Sequence, residues 1–242
     1  MREAGRINAR VLDAIREAIK PGVTTAELDA IAEEVQDKHD AKTVFKGYDF
    51  GGQLPPFPTT ITACINDELV HGFPRKEPLK EGDLVSIDCA SLYKGYIGDS
   101  AFSMVVGKGT PEIEKLLDVT EKSLYKGIAQ CQPGNRIGDV SHAIQKYVES
   151  HDLQVVRGYG GHGVGKTMHE DPHVPNYGTP KKGVKLRPGM TFAIEPMVLQ
   201  GDKEVVVLSD RWTVASKDGK LTAHFEHTIA VTSNGPEILT QL

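Results

Sequence analysis

Two aspartates, Asp88 and Asp99, stand in the stretch Ile87-Asp88-Cys89-Ala90-Ser91-Leu92-Tyr93-Lys94-Gly95-Tyr96-Ile97-Gly98-Asp99. It reads as a strand ending in Asp88, a turn at Lys94-Gly95 and a return strand carrying Asp99. Leu84, Val85 and Ile87 precede the first acid, and Ile97, Ala101 and Phe102 flank the second. Carboxylates in such company lose water, and a buried charge without a cation or donor is costly. Taken alone, the hairpin is better read as two exposed acids at strand ends. The pattern, however, returns. Lys80-Glu81-Gly82, with Ile87-Asp88 closing the run, is matched 107 positions on by Arg187-Pro188-Gly189 and Ile194-Glu195. Asp99 to Met104 is echoed by Glu226 to Val231, and Pro21-Gly22 with Glu27-Leu28 by Pro133-Gly134 with Asp139-Val140, 112 positions on. Three echoes in one order describe a duplicated unit whose facing halves bring Asp88, Asp99, Glu195 and Glu226 together. Four carboxylates that meet cannot all stay ionised unless metal ions hold them.

His162 lies in the glycine run Gly160-Gly161-His162-Gly163-Val164-Gly165, which would let backbone approach an ion or substrate closely. Alone, such a histidine is more often structural; beside four acids it reads as a ligand. One imidazole and four carboxylates suit two divalent ions of the hard to borderline kind: Mn, Fe, Co or Zn. Two such ions, roughly 3.5–4 Å apart, share a hydroxide and polarise a carbonyl, which is the chemistry of peptide or ester hydrolysis.

Three local motifs compete with this reading. Gly160 to Thr167 satisfies the phosphate-loop pattern GxxxxGK[ST], with Asp210 posing as a downstream metal-binding acid. That motif needs a helix starting at Lys166, and Pro172 and Pro175 with no apolar period forbid one. Gly158 to Gly163 matches GxGxxG and fails for the same reason. His169 to His173 matches HExxH, whose two histidines must lie one turn apart on a helix, and Pro172 falls between them.

The elements that must position these residues are read from spacing. Ile7, Val11, Leu12, Ile15 and Ile19 mark a first helix stopped by Pro21-Gly22. Thr24 and Glu27 form a capping box for a second, with Leu28, Ile31 and Val35 as its buried face. Phe45 to Thr60, rich in Gly, Pro and the aromatics Tyr48, Phe50 and Phe57, reads as a functional loop. Strands come next at Cys64 to Val70, Leu84 to Asp88 and Tyr96 to Val106. Thr110 and Pro111 then open a helix along Ile113, Leu116, Leu117, Leu124 and Ile128, and Val140, Ile144, Tyr147 and Val148 mark a fourth. The remaining strands fall at Leu153 to Arg157, Met190 to Glu195, Glu204 to Leu208, Trp212 to Ala215 and Ala223 to Val231. Two helices then strands, twice over, specify an α+β fold of antiparallel sheet with helices on one face. No low-complexity linker divides the halves, so residues 1–242 are expected to form a single domain of two pseudo-repeats, about 1–108 and 109–242.

With 242 residues, 39% hydrophobic, the chain can bury a full core, and a net charge of -5 supplies no basic field for nucleic acid. Cys64, Cys89 and Cys131 are odd in number, widely spaced and without CxxC, which suits a reducing compartment. Neither a signal-type apolar run nor a bilayer-length one occurs, so a cytoplasmic protein is expected.

Several segments together resemble the type I methionine aminopeptidases, metallopeptidases of the pita-bread fold. They are Asn66-Asp67-Glu68-Leu69-Val70-His71-Gly72, Gly98-Asp99, Gly161 to Gly165, His169-Glu170-Asp171-Pro172 and Phe225-Glu226-His227-Thr228. The resemblance covers nearly the whole chain, from Met1-Arg2-Glu3-Ala4-Gly5 onward. It implies that Asp88, Asp99, His162, Glu195 and Glu226 hold two divalent ions, with Asp99 and Glu226 bridging and Glu195 handling the water proton. It makes His71 and His169 non-ligand histidines that contact the scissile amide and steady the tetrahedral intermediate. Phe57, Met168 and Trp212 match positions around the methionine pocket. His173, His224 and His227 keep ordinary readings, with His227 facing away from its neighbouring ligand, and His39, His142 and His151 read as surface residues.

The chain departs from the family pattern at an apparent insertion, Asp49 to Pro56, which could reshape the substrate mouth. Met168 stands where an aromatic is expected, Cys89 sits beside a ligand, and the chain begins several residues late. The implied activity is removal of initiator methionine from newly made proteins, through a hydroxide bridging the two ions. The implied partners are nascent polypeptides, with a transient ribosome contact, no membrane and no direct nucleic-acid binding, and the protein is expected to be a monomer. A proline-specific peptidase of the same fold would carry an additional N-terminal domain; a metal-free binding relative would have lost ligands.

Overall fold

The computed structural model describes residues 1–49 and 51–242; Phe50, one of the aromatics of the long loop, lies outside them. Helix α1 (Arg2–Ala18) buries Ala4, Ile7, Val11, Leu12 and Ile15 along one stripe, the consequence of three- and four-residue spacing. Thr24 accepts a hydrogen bond from the Glu27 amide and Glu27 accepts one from the Thr24 amide, so the capping box starts α2 (Thr25–Lys38). The buried face of α2 is Leu28, Ala32 and Gln36, one turn apart, and Ile31 and Val35 lie half-buried at its margin. The buried face is thus displaced from the expected one, and it contains an amide.

Strands β1 (Lys42–Thr43), β2 (Ile61–Ile65), β3 (Glu68–Val70), β4 (Leu84–Tyr93) and β5 (Tyr96–Val105) complete the first half. Thr110 and Pro111 open α3 (Pro111–Ala129), followed by α4 (Ile137–Glu149). The second set is β6 (Gln154–Val155), β7 (Gly160–Gly163), β8 (Glu170–Pro175), β9 (Thr191–Ile194) and β10 (Met197–Leu199). It continues with β11 (Val205–Val207), β12 (Val214–Ser216), β13 (Thr222–His224), β14 (Glu226–Thr232) and β15 (Gly235–Ile238). The main sheet runs β1-β4-β5-β14-β9-β7-β8, with β2 beside β4 and β15 beside β14. Two small sheets, β13-β10-β6 and β11-β12-β3, flank it.

Several expected boundaries shift for identifiable reasons. Asp88 lies in the middle of β4, because the turn at Lys94-Gly95, both with positive φ, lets the hairpin pair continuously from Leu84↔Val105 to Tyr93↔Tyr96. Cys64 to Val70 is two strands, broken at Asn66, whose φ of 60° reverses the chain. Ala223 to Val231 is also two, since β13 pairs with β10 while β14 pairs with β5 and β9. Strands β7, β8 and β15 carry no apolar alternation that would announce them; their partners define them.

Register decides which way each acid points. Asp88 lies opposite Ala101, which lies opposite Glu226, while Asp99 lies opposite Ala90. The row between them contains Cys89, Ser100, His227 and Ile194. Side chains alternate across a strand, so Asp88, Asp99 and Glu226 share one face, as does Glu195 following Ile194. The other face packs on helices: α1 lies on β4 and β5, and α3 reaches β5, β9, β13 and β14. The halves therefore meet at β5 and β14, with two acids on either side of the joint.

Helix α1 approaches β5 closely at a pair of glycines. A Cβ on Gly98 would sit 2.6 Å from the Gly5 N and Cα atoms. Gly98→Ala is expected to cost about 1–3 kcal/mol, the typical penalty for overpacking, read as a lower urea midpoint with an unchanged slope. A neutral substitution would show that helix and strand can part freely here.

Candidate metal centre

Five residues from four strands and their flanks converge on one cavity: Asp88 from β4, Asp99 from β5, His162 from β7, Glu195 beyond the end of β9, and Glu226 from β14. One ligand atom from each of Asp99, His162 and Glu226 can be chosen so that all lie within 4.8 Å of one another. The carboxyls of Asp88, Asp99 and Glu226 all line this cavity. His162 Nε2 stands 3.6 Å from Asp99 Oδ2 and 3.8 Å from Glu195 Oε1. His162 Nδ1 lies 3.0 Å from the Gly163 carbonyl, which can only accept. The ring hydrogen therefore sits on Nδ1, and the lone pair of Nε2 faces the acids, the state a ligand requires.

The residues fit a metal centre on two grounds. Oδ1 of Asp88, Oδ1 of Asp99 and Oε1 of Glu226 are buried without a hydrogen-bond partner, an expensive state unless a cation satisfies them. Their protonation behaviour agrees. Burial raises Asp88, Asp99 and Glu226 above the usual carboxylate range, with neighbouring acids adding to it, and takes Asp99 to about 8. Burial also pushes Glu195 upward, but His224, His162 and His71 outweigh it and leave its carboxyl below its ordinary value.

The profile of metallopeptidase family M24 matches residues 1–233. The chain belongs to this family. It is 51% identical to methionine aminopeptidase 1 of Bacillus subtilis over 242 residues, covering 100% of this chain and 95% of that one. The crystal structure of methionine aminopeptidase from Thermotoga maritima superposes with a TM-score of 0.95 at 46% identity, covering 100% and 95%. An Xaa-Pro dipeptidase from Bacillus anthracis shares the fold at a TM-score of 0.77, 21% identity and 59% of its length. The four-helix, curled-sheet architecture is thus the pita-bread fold, and M24 membership makes this a metallopeptidase.

In this M24 chain the cavity has a polar end and an apolar end. Phe57, Met168 and Trp212 are all buried around the latter, joined by Phe45. Phe57 meets Trp212 edge to face at 5.2 Å, and Trp212 Nε1 donates to the Pro55 carbonyl at 2.9 Å. The neighbouring loop is held there, with Arg211 donating to the Gln53 carbonyl and Leu54 packed on the aromatic cluster. His71 lies between the two ends with a φ of 61° and its ring 6.2 Å from Trp212. The His169 ring is 4.3 Å from that of His162, and its Nδ1 is 2.6 Å from the Tyr48 hydroxyl. Burial lowers both His71 and His169 to about 4, so both are neutral at physiological pH.

Two expectations need correction. The glycines around His162 make room for protein backbone: a Cβ on Gly161 would meet Ala193 O at 2.2 Å, and one on Gly163 would meet Asp171 O at 2.3 Å. His224 has no ordinary role, because its Nε2 lies 3.5 Å from Glu195 Oε2 and Ser103 Oγ binds its backbone on both sides. Its place two residues before Glu226 gave no signal, because the break at Phe225 puts the two on different strands, β13 and β14. Tyr48 was marked only as an aromatic of the functional loop, and Asn176, which donates to the Glu195 carbonyl, was not marked at all. His227 does face away, towards Thr240 and Tyr125. The competing motifs fail as expected. No helix begins at Lys166, and the amides of Lys166 and Thr167 are taken by Glu170. His173 lies in extended β8 opposite His162.

Asp99 has a value of 3.8 unfolded and about 8 folded, so folding without metal takes up a proton. That contribution is complete below the unfolded value and disappears as pH rises through about 8. His71, His169 and His227 act oppositely, but only between about 4 and 6.5. The urea midpoint of chelator-stripped protein should therefore fall as pH rises from 6.5 to above 8, and Mn2+ should flatten the fall. A pH-independent midpoint over that window would contradict the buried carboxyl cluster.

Proposed function

We propose that this chain removes the N-terminal initiator methionine from newly made proteins as a metal-dependent aminopeptidase. The observation that carries this reading is the cavity itself: Asp88, Asp99, His162, Glu195 and Glu226 at one end, and Phe57, Met168 and Trp212 at the other. A slender thioether side chain suits an apolar slot of rings and sulfur. The high identity to methionine aminopeptidases over the full length supports the same substrate.

The five polar residues, Asp88, Asp99, His162, Glu195 and Glu226, would hold two divalent ions (Co, Mn, Fe or Zn). Bound there, such ions supply a hydroxide nucleophile at neutral pH and polarise the amide carbonyl. Glu195, its carboxyl held below its ordinary value chiefly by the adjacent His224, takes the nucleophile's proton and passes it to the leaving amine. A hydrogen bond from the Tyr48 hydroxyl to Nδ1 of His169 would put the ring hydrogen on Nε2, where it could be donated to the substrate. His71 acts beside it, and two neutral imidazoles steady the developing oxyanion. Within the Asp49 to Pro56 loop, the carbonyls of Gln53 and Pro55 accept from Arg211 and Trp212, which ties this part of the loop to a residue of the cavity wall.

Residues 1–242 are read as a single catalytic domain whose pseudo-repeats, about 1–108 and 109–242, are joined through β5 and β14. Among the described residues no helix is long and apolar enough to cross a membrane. The protein is placed in the cytoplasm as a monomer, acting on nascent chains with a transient ribosome contact.

Release of methionine from Met-Ala-Ser, abolished by chelator and restored by divalent ions, is the expected result. Preference for Met-Pro or Ala-Pro would favour the proline-specific relatives instead. Asp99→Ala should lose turnover and bound metal while staying folded by circular dichroism. Replacing His71 or His169 by Ala should lower kcat by about 10²–10³, as loss of an oxyanion donor does, with the metal retained. Unchanged kcat in both would remove them from the mechanism.

A further inference from the structure

Asn8 lies on α1, outside the cavity, and is 0% exposed. Its Nδ2 donates to the Cys89 carbonyl at 2.6 Å and to Ser100 Oγ at 2.8 Å, and its Oδ1 accepts from Ser91 Oγ at 2.8 Å. Cys89 is the residue after Asp88, Ser100 the residue after Asp99, and the two lie directly opposite each other in the β4–β5 ladder. Gln36 of α2 extends the network, donating to Ser91 Oγ at 2.9 Å and to the Ala90 carbonyl at 3.1 Å. Polar groups at a helix–sheet contact are costly unless fully bonded. An apolar pair would fill this space at lower risk, so the network calls for another explanation. Its bonds fall on the residues next to both acids, where α1 already touches β5 through Gly5 and Gly98.

We propose that Asn8 is a positioning residue for the metal centre, clasping the row behind Asp88 and Asp99 so that their carboxyls keep one separation and tilt. The inference rests on the assignment of both acids as ligands. A pair of divalent ions demands ligand oxygens at defined distances, and outer residues that orient ligands typically change metal affinity about 10–100-fold when replaced. Asn8→Leu keeps the volume and removes all of Asn8's side-chain hydrogen bonds, so the row behind the two acids would lose its clasp between β4 and β5.

The test is calorimetric titration of Mn2+ into chelator-stripped wild type, Asn8→Leu, Ser100→Ala and Ile15→Val. Ile15→Val serves as a core control on the same helix, away from the network. Asn8→Leu is expected to weaken Mn2+ binding by about tenfold or more, Ser100→Ala by less, and Ile15→Val not at all. The increment in melting temperature on adding Mn2+ should shrink in the same order. If Asn8→Leu fails to fold, Ser100→Ala alone decides between weakened and wild-type affinity. Wild-type affinity in the folded Asn8 and Ser100 variants overturns the proposal, as does an equal loss in Ile15→Val. Absence of Mn2+ binding by the wild type would instead overturn the metal assignment on which it rests.

Discussion

Asp88, Asp99, Glu195 and Glu226 approach one another on a sheet face where burial removes most of the water that would separate their charges. Like charges at this range repel strongly, and in a medium of lowered dielectric the repulsion is not screened. The chain resolves it unevenly. Asp88, Asp99 and Glu226 are driven towards the protonated form, with three carboxyl oxygens left without a protein partner. Glu195, next to His162 and His224, stays ionised. That asymmetry leaves one ionised carboxylate beside three carboxyls whose charge is costly without a cation.

A sheet supports this arrangement because its two faces are independent. Here the alternation of β4, β5 and β14 sends each acid to one face and Cys89, Ser100 and His227 to the other, where the helices pack. Cys89 sits against Gln36 of α2 rather than near the acids. Core packing and site chemistry thus share strands without sharing space. Close backbone contacts at Gly98, Gly161 and Gly163 keep the layers near enough for β7 to carry His162 to acids on β5 and β14.

The apolar end of the cavity is assembled from loops instead. Phe57, Met168 and Trp212 come from connections between strands, and each is fixed by a local device. Asp210 accepts from the Trp212 and Thr213 amides, the Phe57 amide donates to the Tyr48 carbonyl, and Glu170 binds the turn that precedes Met168 and His169. The acids therefore rest on the sheet, while the apolar end of the cavity rests on the segments that join its strands.

Much of this was legible in the order of residues, because it depends on local rules. The capping box at Thr24 and Glu27, the Thr110-Pro111 start, the hairpin turn at Lys94-Gly95 and the failure of a helix after Lys166 all arise from side chains acting on nearby backbone. The repeated Gly-to-acid spacing marked Asp88 and Glu195 as equivalents, and the resemblance of the surrounding motifs drew in His71, His162 and His169. The features that stayed hidden depend on which strand lies beside which. The break at Phe225 that lets β13 and β14 join different sheets, the approach of His224 to Glu195, and the bond from Asn8 across 81 positions to Cys89 have no local signature. Each arises only when segments distant in the chain are brought into register, and register is set by the packing of the whole sheet against its helices.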